Sequence, residues 1–315
     1  FKTLGGASGT PVPHTFATWS CSGNSPVYPG HTSYVSNHPT LDIITDEVDP
    51  DFLIQSGDLH YGNIATNTPA DFRTAFDAAL HKTNTTRMSR HLRQLSTVYA
   101  WDDHDFGAND SDRTSASRPA AASVYRERVP HLTLANGSGP IYHSFTVGRV
   151  LYIVSDTRYD RDPDGQVDNA SKTMLGTAQL AWMETLLSTS DAEFLVWVMP
   201  SQWLGVSDDS WAVYNTERLT VTQMLRAPGG DDSKNWTSRM LQVSGDVHAL
   251  AFDDGDGNKW GDFPVLVAAS IDSSAGDVQR DIYRMNGRPL HSSPGRGRYG
   301  VVDNDDDGDT ITSTV

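Results

Sequence analysis

The chain has 315 residues, 37 % of them hydrophobic, a single cysteine and a formal charge of −16 that comes mostly from aspartate. That length buries a substantial core, and with no linker in the sequence it reads as one domain over 1–315. The acidic field excludes nucleic-acid binding through a basic face, the lone cysteine excludes an internal disulfide, and no apolar run approaches the roughly 20 residues that span a bilayer.

Acidity does not exclude an anionic substrate, because bound cations reverse the sign of the field locally. Residues 1–13 show neither the basic start nor the apolar stretch of a secretory leader, and since a removed leader leaves no trace, export cannot be read from a signal.

In chain order, His14 to Trp19 reads as a first strand ending at Ser20-Cys21-Ser22. Leu41 to Val48 reads as a short helix stopped before Pro50, and Phe52 to Gln55 as a buried strand running into Ser56-Gly57-Asp58. Helical spacing follows over Ala70 to His81 and Thr86 to Leu95, then a strand from Ser96 to Ala100 that runs into Trp101-Asp102-Asp103-His104. An alanine-rich helix covers Ala120 to Arg128. Ile141 to Val147 and Val150 to Ser155 flank Gly148-Arg149 as a hairpin. Thr177 to Leu187 is an amphipathic helix, Phe194 to Met199 a strong strand, and Leu241 to Ser244, Phe263 to Ala269 and Tyr299 to Val302 are further strands. Alternating strands and helices predict an α/β sheet with helices outside. Strands that end in polar clusters are expected to bring those clusters together, since ligands of α/β sheets bind beyond the carboxyl ends of strands.

Asp58, directly after a strand and a glycine, is placed either to bridge two cations or to cap a turn. Asp102, Asp103, His104 and Asp105 crowd carboxylates that repel unless a cation neutralises them, the alternative being a solvated acidic loop. Asn109 adds a neutral oxygen donor. Asp246 and His248, two apart on an extended segment, project to the same side, as metal ligands or as an unrelated surface pair. Cys21 on its own reads as a small buried hydrophobe more readily than as a ligand. Arg158 offers planar, bidentate hydrogen bonds to a phosphate, or else an ion pair with Asp156 or Asp160 at the surface.

Taken together in this order, Ser20-Cys21, Gly57-Asp58-Leu59-His60-Tyr61, Trp101-Asp102-Asp103-His104-Asp105 with Asn109, and Ser244-Gly245-Asp246-Val247-His248 resemble the motifs of the alkaline phosphatase D (PhoD-like) branch of the calcineurin-like metallophosphoesterases. The resemblance extends to Asp156-Thr157-Arg158-Tyr159, to Leu175-Gly176 with Gln179 and Trp182, and to Pro200-Ser201-Gln202. It implies an α/β (α+β) metallophosphoesterase fold, a four-layer αββα sandwich with two mixed β-sheets. It also implies a binuclear metal centre. Cys21, Asp58, Tyr61 and His248 would hold one ion, and Asp58 would bridge to a second held by Asp246, Asn109 and Asp103. A thiolate and a phenolate suit iron and an all-oxygen site suits calcium, with zinc, manganese or magnesium as alternatives.

By the same resemblance a metal-bridging hydroxide attacks phosphorus, and His104 protonates the leaving oxygen or clamps the phosphoryl group. The implied substrates are small phosphate mono- or diesters, including phospholipid or teichoic-acid-like polymers, and the implied location is secreted or periplasmic.

The competing function is a calcium-dependent binding or adhesion module using the acidic stretches 253–262 and 303–309. The second of these begins like a calcium loop but carries Thr314 at the twelfth position, so an Asp-Gly turn between two strands is the simpler reading. A serine esterase would need a Gly-x-Ser-x-Gly elbow, which the sequence lacks.

Overall fold

A computed structural model describes residues 8–23, 35–80, 86–274, 283–285, 288–289, 293–294 and 296–315. Strand β1 (His14–Trp19) is followed by a short helix α1 (Thr40–Ile43), which widens into a π-helical turn over Ile44–Val48 and stops at Asp49 with φ 46°. Strand β2 (Phe52–Ser56), helices α2 (Pro69–Leu80) and α3 (Arg87–Gln94) and strand β3 (Thr97–Ala100) come next. Thr86 caps α3 through its side chain. His81, the expected end of α2, lies outside the described residues.

A one-turn helix α4 (Asp103–Phe106) precedes α5 (Arg118–Arg128) and the hairpin of β4 (His143–Val147) and β5 (Val150–Val154), which turns on Gly148 at φ 57°. Helix α6 (Thr177–Thr189), β6 (Phe194–Val198), α7 (Asn215–Arg226), β7 (Met240–Ser244), β8 (Ala249–Asp253) and β9 (Val265–Ala268) follow. Three two-residue strands, β10 (Arg284–Met285), β11 (Arg288–Pro289) and β12 (Ser293–Pro294), lead to β13 (Gly300–Asp306) and β14 (Ile311–Thr314).

These strands form two large mixed sheets, ordered β14-β13-β1-β2-β3 and β12-β8-β9-β7-β6-β5-β4. Alternation along each strand decides the layering. Phe16, Phe52 and Ile54 of the first sheet meet Tyr152, Val154, Val196 and Val198 of the second in a core between the sheets. The opposite faces carry the helices: Ala17, Trp19 and Leu53 pack with Phe72, Phe76 and Tyr125 of α2 and α5, and Ile153, Leu195 and Trp197 pack with Met183, Leu187 and Val221 of α6 and α7. Each large side chain buried this way contributes roughly 1.5–3 kcal/mol. The result is the four-layer αββα arrangement expected from the sequence.

Three elements depart from expectation. Helix α7 is absent from the sequence reading because Glu217, Arg218 and Thr222 are buried on its inner side, which breaks the apolar periodicity. Strand β8 continues from the Asp246-Val247-His248 cluster, whose polar residues hide its start. Strand β13 runs on to Asp306 because Asn304 and Asp306 point inward: Asn304 contacts His14 and Tyr152, and Asp306 pairs with Arg149.

The acidic stretch at 303–309 is accordingly a strand end and an Asp-Gly turn. Gly308 has φ 96°, and Asp307 accepts from the backbone N–H of Asp309 and Thr310 at 2.9 and 2.7 Å. The stretch at 253–262 is organised in the same way around Asp253, whose carboxylate accepts from the backbone N–H of Gly255, Gly257 and Arg284. Asp253, Asp306 and Asp307 are thus engaged by the chain itself, as expected of Asp-Gly turns.

Candidate metal centre

Parallel pairing of β1 with β2 and of β2 with β3 brings three of the polar clusters to one edge of the first sheet. Strand β7 of the second sheet delivers the fourth. The backbone leaves the strands abruptly here: Cys21, Asp58, Tyr61, Asp246 and His248 all have φ between 49° and 68°. A non-glycine residue in that region costs of order 1–3 kcal/mol, and such residues gather where function over-determines the backbone. Gly57, at φ 98°, has no room for a side chain, since a Cβ would lie 2.5 Å from Cβ of Asp102. It lets the two acidic loops touch. Asp105 ties them together by accepting from the backbone N–H of Leu59 and His60 at 3.0 and 2.9 Å.

Cys21 Sγ lies 3.5 Å from Asp58 Oδ2, and the Tyr61 hydroxyl is 2.9 Å from the same oxygen and 3.0 Å from His248 Nε2. Donor atoms of Cys21, Asp58 and His248 fall within 4.8 Å of one another, as do those of Asp58, Asp103 and His104, and those of Asp102, Asp103 and Asp246. Asp58 and Asp103 therefore join the groups into one chain of donors. Asn109 is exposed in the turn after α4, and the residue whose carboxylate joins Asp103 there is its neighbour Asp110, together with Asp209.

The electrostatics of this cluster are unfavourable without a cation. Burial, then the charges of Asp103, Asp102, Asp105 and Asp246, hold the Asp58 carboxyl far above the usual carboxylate range. Burial, then Asp209 and Asp102, do the same to Asp246. Asp102 is raised to about 7, by burial first and despite Arg158 beside it. Asp103 is the exception: burial pushes it up, but Arg158, His104 and the N–H groups of Asp110 and His104 outweigh that and leave it below its ordinary value. Burial also pushes the Cys21 thiol and the Tyr61 phenol well above their ordinary values and the His248 imidazole below its own.

Asp58 Oδ1 and Asp103 Oδ1 are buried without a hydrogen-bond partner. Buried acceptors that nothing satisfies, between repelling carboxylates and beside a thiol, a phenol and an imidazole, fit metal ions in both hardness and charge.

One side chain differs from its sequence assignment. Arg158 does not pair at the surface with Asp156 or Asp160: it is 0 % exposed, with Nε on Asp102 at 2.5 Å and its two terminal nitrogens on Asp209 at 2.6 and 2.7 Å. Carboxylates claim its planar fork, so it anchors the Asp102 loop and offsets charge rather than clamping a phosphate. Asp156 is likewise structural, accepting from Trp101 Nε1 and from the N–H of Ile141, Arg158 and Tyr159. Asp209, which also pairs with Arg161 at 2.8 Å, carries no sequence signal, being one of two adjacent aspartates in a loop.

His104 stacks on Tyr61 with ring centroids 4.4 Å apart, and its Nδ1 is 2.5 Å from Asn63 Oδ1. An amide oxygen only accepts, so Nδ1 carries hydrogen and Nε2, 3.8 Å from Asp103 Oδ2, is the atom turned toward the cluster. Asn63, at φ 50°, was not singled out in the sequence because it lies beyond the Gly57–Tyr61 motif.

A two-sheet αββα sandwich with acidic loops, a histidine and further donors gathered at its strand ends is the architecture of the metallophosphoesterases. In agreement, the fold matches the solved structure of PhoD with a TM-score of 0.71 at 21 % identity, covering 98 % of this chain and 70 % of that one. It also matches purple acid phosphatase PPD1 from yellow lupin seeds with a TM-score of 0.56 at 15 % identity, covering 95 % and 51 %. Residues 16–284 match the family model of the PhoD-like phosphatases, and the chain belongs to that family. Alkaline phosphatase D of Bacillus subtilis (strain 168) is 26 % identical over 241 residues, which are 63 % of this chain. The aligned stretch spans 40 % of that relative's length.

Proposed function

We propose that the chain hydrolyses phosphate mono- and diesters, diesters preferentially, at a binuclear metal centre. The observation that carries this reading is the pair of unsatisfied buried oxygens on Asp58 and Asp103 at the junction of the donor groups. Cys21, Asp58, Tyr61 and His248 would hold one ion, and Asp58, Asp103, Asp246 and Asn109 a second, with Asp58 shared. The thiol and phenol favour iron at the first position and the oxygen donors favour calcium at the second, with zinc, manganese or magnesium as the alternatives. Two such ions would supply charge neutralisation at phosphorus and would acidify a bound water.

The protein's own contribution is positional. Asn63 and Tyr61 hold the His104 ring from its edge and its face, so that Nε2 exchanges a proton with the leaving oxygen. Arg158 fixes Asp102, and through it the loop that presents Asp103. Phospholipid or teichoic-acid-like polymers, a secreted or periplasmic location and a single domain over 1–315 belong to the same proposal. The domain assignment is supported by the core that the two sheets share.

The test is turnover of an aryl phosphodiester and the matching monoester before and after dialysis against a strong chelator. Chelator-sensitive cleavage with the diester faster is the expected result. If neither ester is cleaved after iron, calcium, zinc and manganese are returned, the proposal fails. A second expected result concerns Cys21→Ser. Exchanging a thiolate donor for a hydroxyl weakens a borderline-soft ion more than a hard one, so elemental analysis should show the first metal depleted while the second is retained. Equal retention of both would remove Cys21 from the site.

A further inference from the structure

On the outer side of the second sheet a cleft of about 520 Å³ lies between α7, the β8–β9 connection and β10. Its charged lining consists of Arg218, Lys259, Arg284 and one carboxylate, Asp256, with Trp260 and Leu204 supplying apolar wall. None of the residues placed at the metal centre lines it.

Arg218 is the informative residue. It is 4 % exposed, yet its guanidinium is held only by neutral acceptors, the Trp203 carbonyl and Asn215 Oδ1, both at 2.7 Å. Its Cζ sits 4.1 Å above the Trp260 ring, and its Nε has no hydrogen-bond partner. Among the described residues no carboxylate lies within ion-pair distance of Arg218, Lys259 or Arg284, whereas the other large buried guanidiniums, Arg158 and Arg161, are each matched by aspartates. Asp168 acts on Arg218 from beyond that distance, and burial outweighs it; a buried charge matched this weakly is costly unless something supplies a nearer counter-charge. In a chain of net charge −16, three cations facing one carboxylate form a local patch of opposite sign that draws anions.

We propose that this cleft is a second anion site, separate from the metal centre, that takes a phosphate-class oxyanion. Arg218 in the wall and the exposed Lys259 and Arg284 carry N–H donors that match the oxygens of such a group. The volume exceeds what a bare phosphate fills, leaving room for a small organic substituent against Trp260 and Leu204. Two sources share this chemistry: free phosphate, and a phosphate unit within a larger ester.

The experiment titrates the metal-loaded protein with inorganic phosphate by calorimetry and compares it with the double variant Lys259→Ala/Arg284→Ala. Both substituted residues are exposed and remote from the metal ligands, so hydrolysis of a small aryl ester, and its inhibition by phosphate, report an intact fold and catalytic site. The expected result is a phosphate site beyond the one that competes with ester hydrolysis, weakened at least about tenfold in the double variant. This site persists after chelation, which separates it from the proposed catalytic centre whether or not that proposal holds. A wild type with no phosphate site beyond the competing one, or a double variant that keeps every wild-type site at unchanged affinity, overturns the proposal. A soluble two-unit glycerol phosphodiester distinguishes the sources: tighter binding than phosphate assigns the cleft to the ester, and equal or weaker binding assigns it to the free anion.

Discussion

Asp58→Asn is expected to lower ester hydrolysis by at least about a thousandfold, equivalent to roughly 4 kcal/mol of transition-state stabilisation, and to remove both metals, while making the metal-free protein more stable than the metal-free wild type. The first half follows from position. Asp58 Oδ2 contacts the Cys21 thiol and the Tyr61 hydroxyl, and Oδ1 is a buried acceptor with no protein partner. An asparagine keeps the hydrogen bond to Tyr61 but cannot supply an anionic oxygen to each of two ions.

The second half follows from charge. Without metal, Asp58 is destabilised by burial and by Asp103, Asp102, Asp105 and Asp246, so a neutral isostere relieves repulsion. The pair of effects is what distinguishes a metal-bridging carboxylate from a turn cap. A cap lost to asparagine would leave stability nearly unchanged, because asparagine caps as well as aspartate. Elemental analysis, turnover and thermal unfolding of the chelated proteins measure the three components. A variant that retains both metals and most of its turnover would return Asp58 to the role of a turn residue.

How much of this was legible in the sequence depends on where the signal sits. The layered fold could be read because near-continuous apolar runs along β2, β5 and β6 record strands buried on two faces, and that pattern survives without knowledge of neighbours. The donor clusters could be read because each follows a strand directly, where chain order and spatial order coincide. Asp209, Asn63 and the buried pairing of Arg158 could not. Each depends on a loop reaching a residue far away in sequence, 51 positions in the case of Arg158 and Asp209. An arginine bound for an aspartate cluster and an arginine bound for a phosphate are the same letter after the same strand. Helix α7 was hidden for a related reason: Glu217 is buried because its carboxylate accepts the N–H groups of Met174 and Leu175, a partner that helical periodicity does not contain. Tertiary hydrogen bonds thus explain both the missed helix and the reassigned arginine.

The remaining large effect is on stability. The difference in unfolding free energy between metal-loaded and chelated protein is expected to widen as pH rises from about 4 to 8, by roughly 1.4 kcal/mol per pH unit for each proton the folded, metal-free cluster retains. Asp58 and Asp246 are raised far above their ordinary values, and Asp102 to about 7, against roughly 3.9 in an unfolded chain. A carboxyl raised on folding contributes stability that is complete below its unfolded pKa and is lost as pH climbs through its folded one. Asp103, held low, contributes in the opposite direction over a lower range and is a single group against three. Bound cations need these carboxylates ionised, so metal binding tightens over the same window in which the metal-free protein weakens. Buried histidines complicate a measurement on the chelated protein alone: His91 is lowered to about 3 and His38 to about 4, by burial first, so their contribution grows as pH rises to about 6.5 and is complete above it. Both lie outside the donor cluster and cancel in the difference between loaded and chelated forms. Between pH 6.5 and 8 their contribution no longer changes, and the chelated protein should decline in stability on its own. Denaturant unfolding of both forms across this range measures the gap. A gap that stays constant or narrows would mean that the carboxylates of this cluster are not what holds the metal.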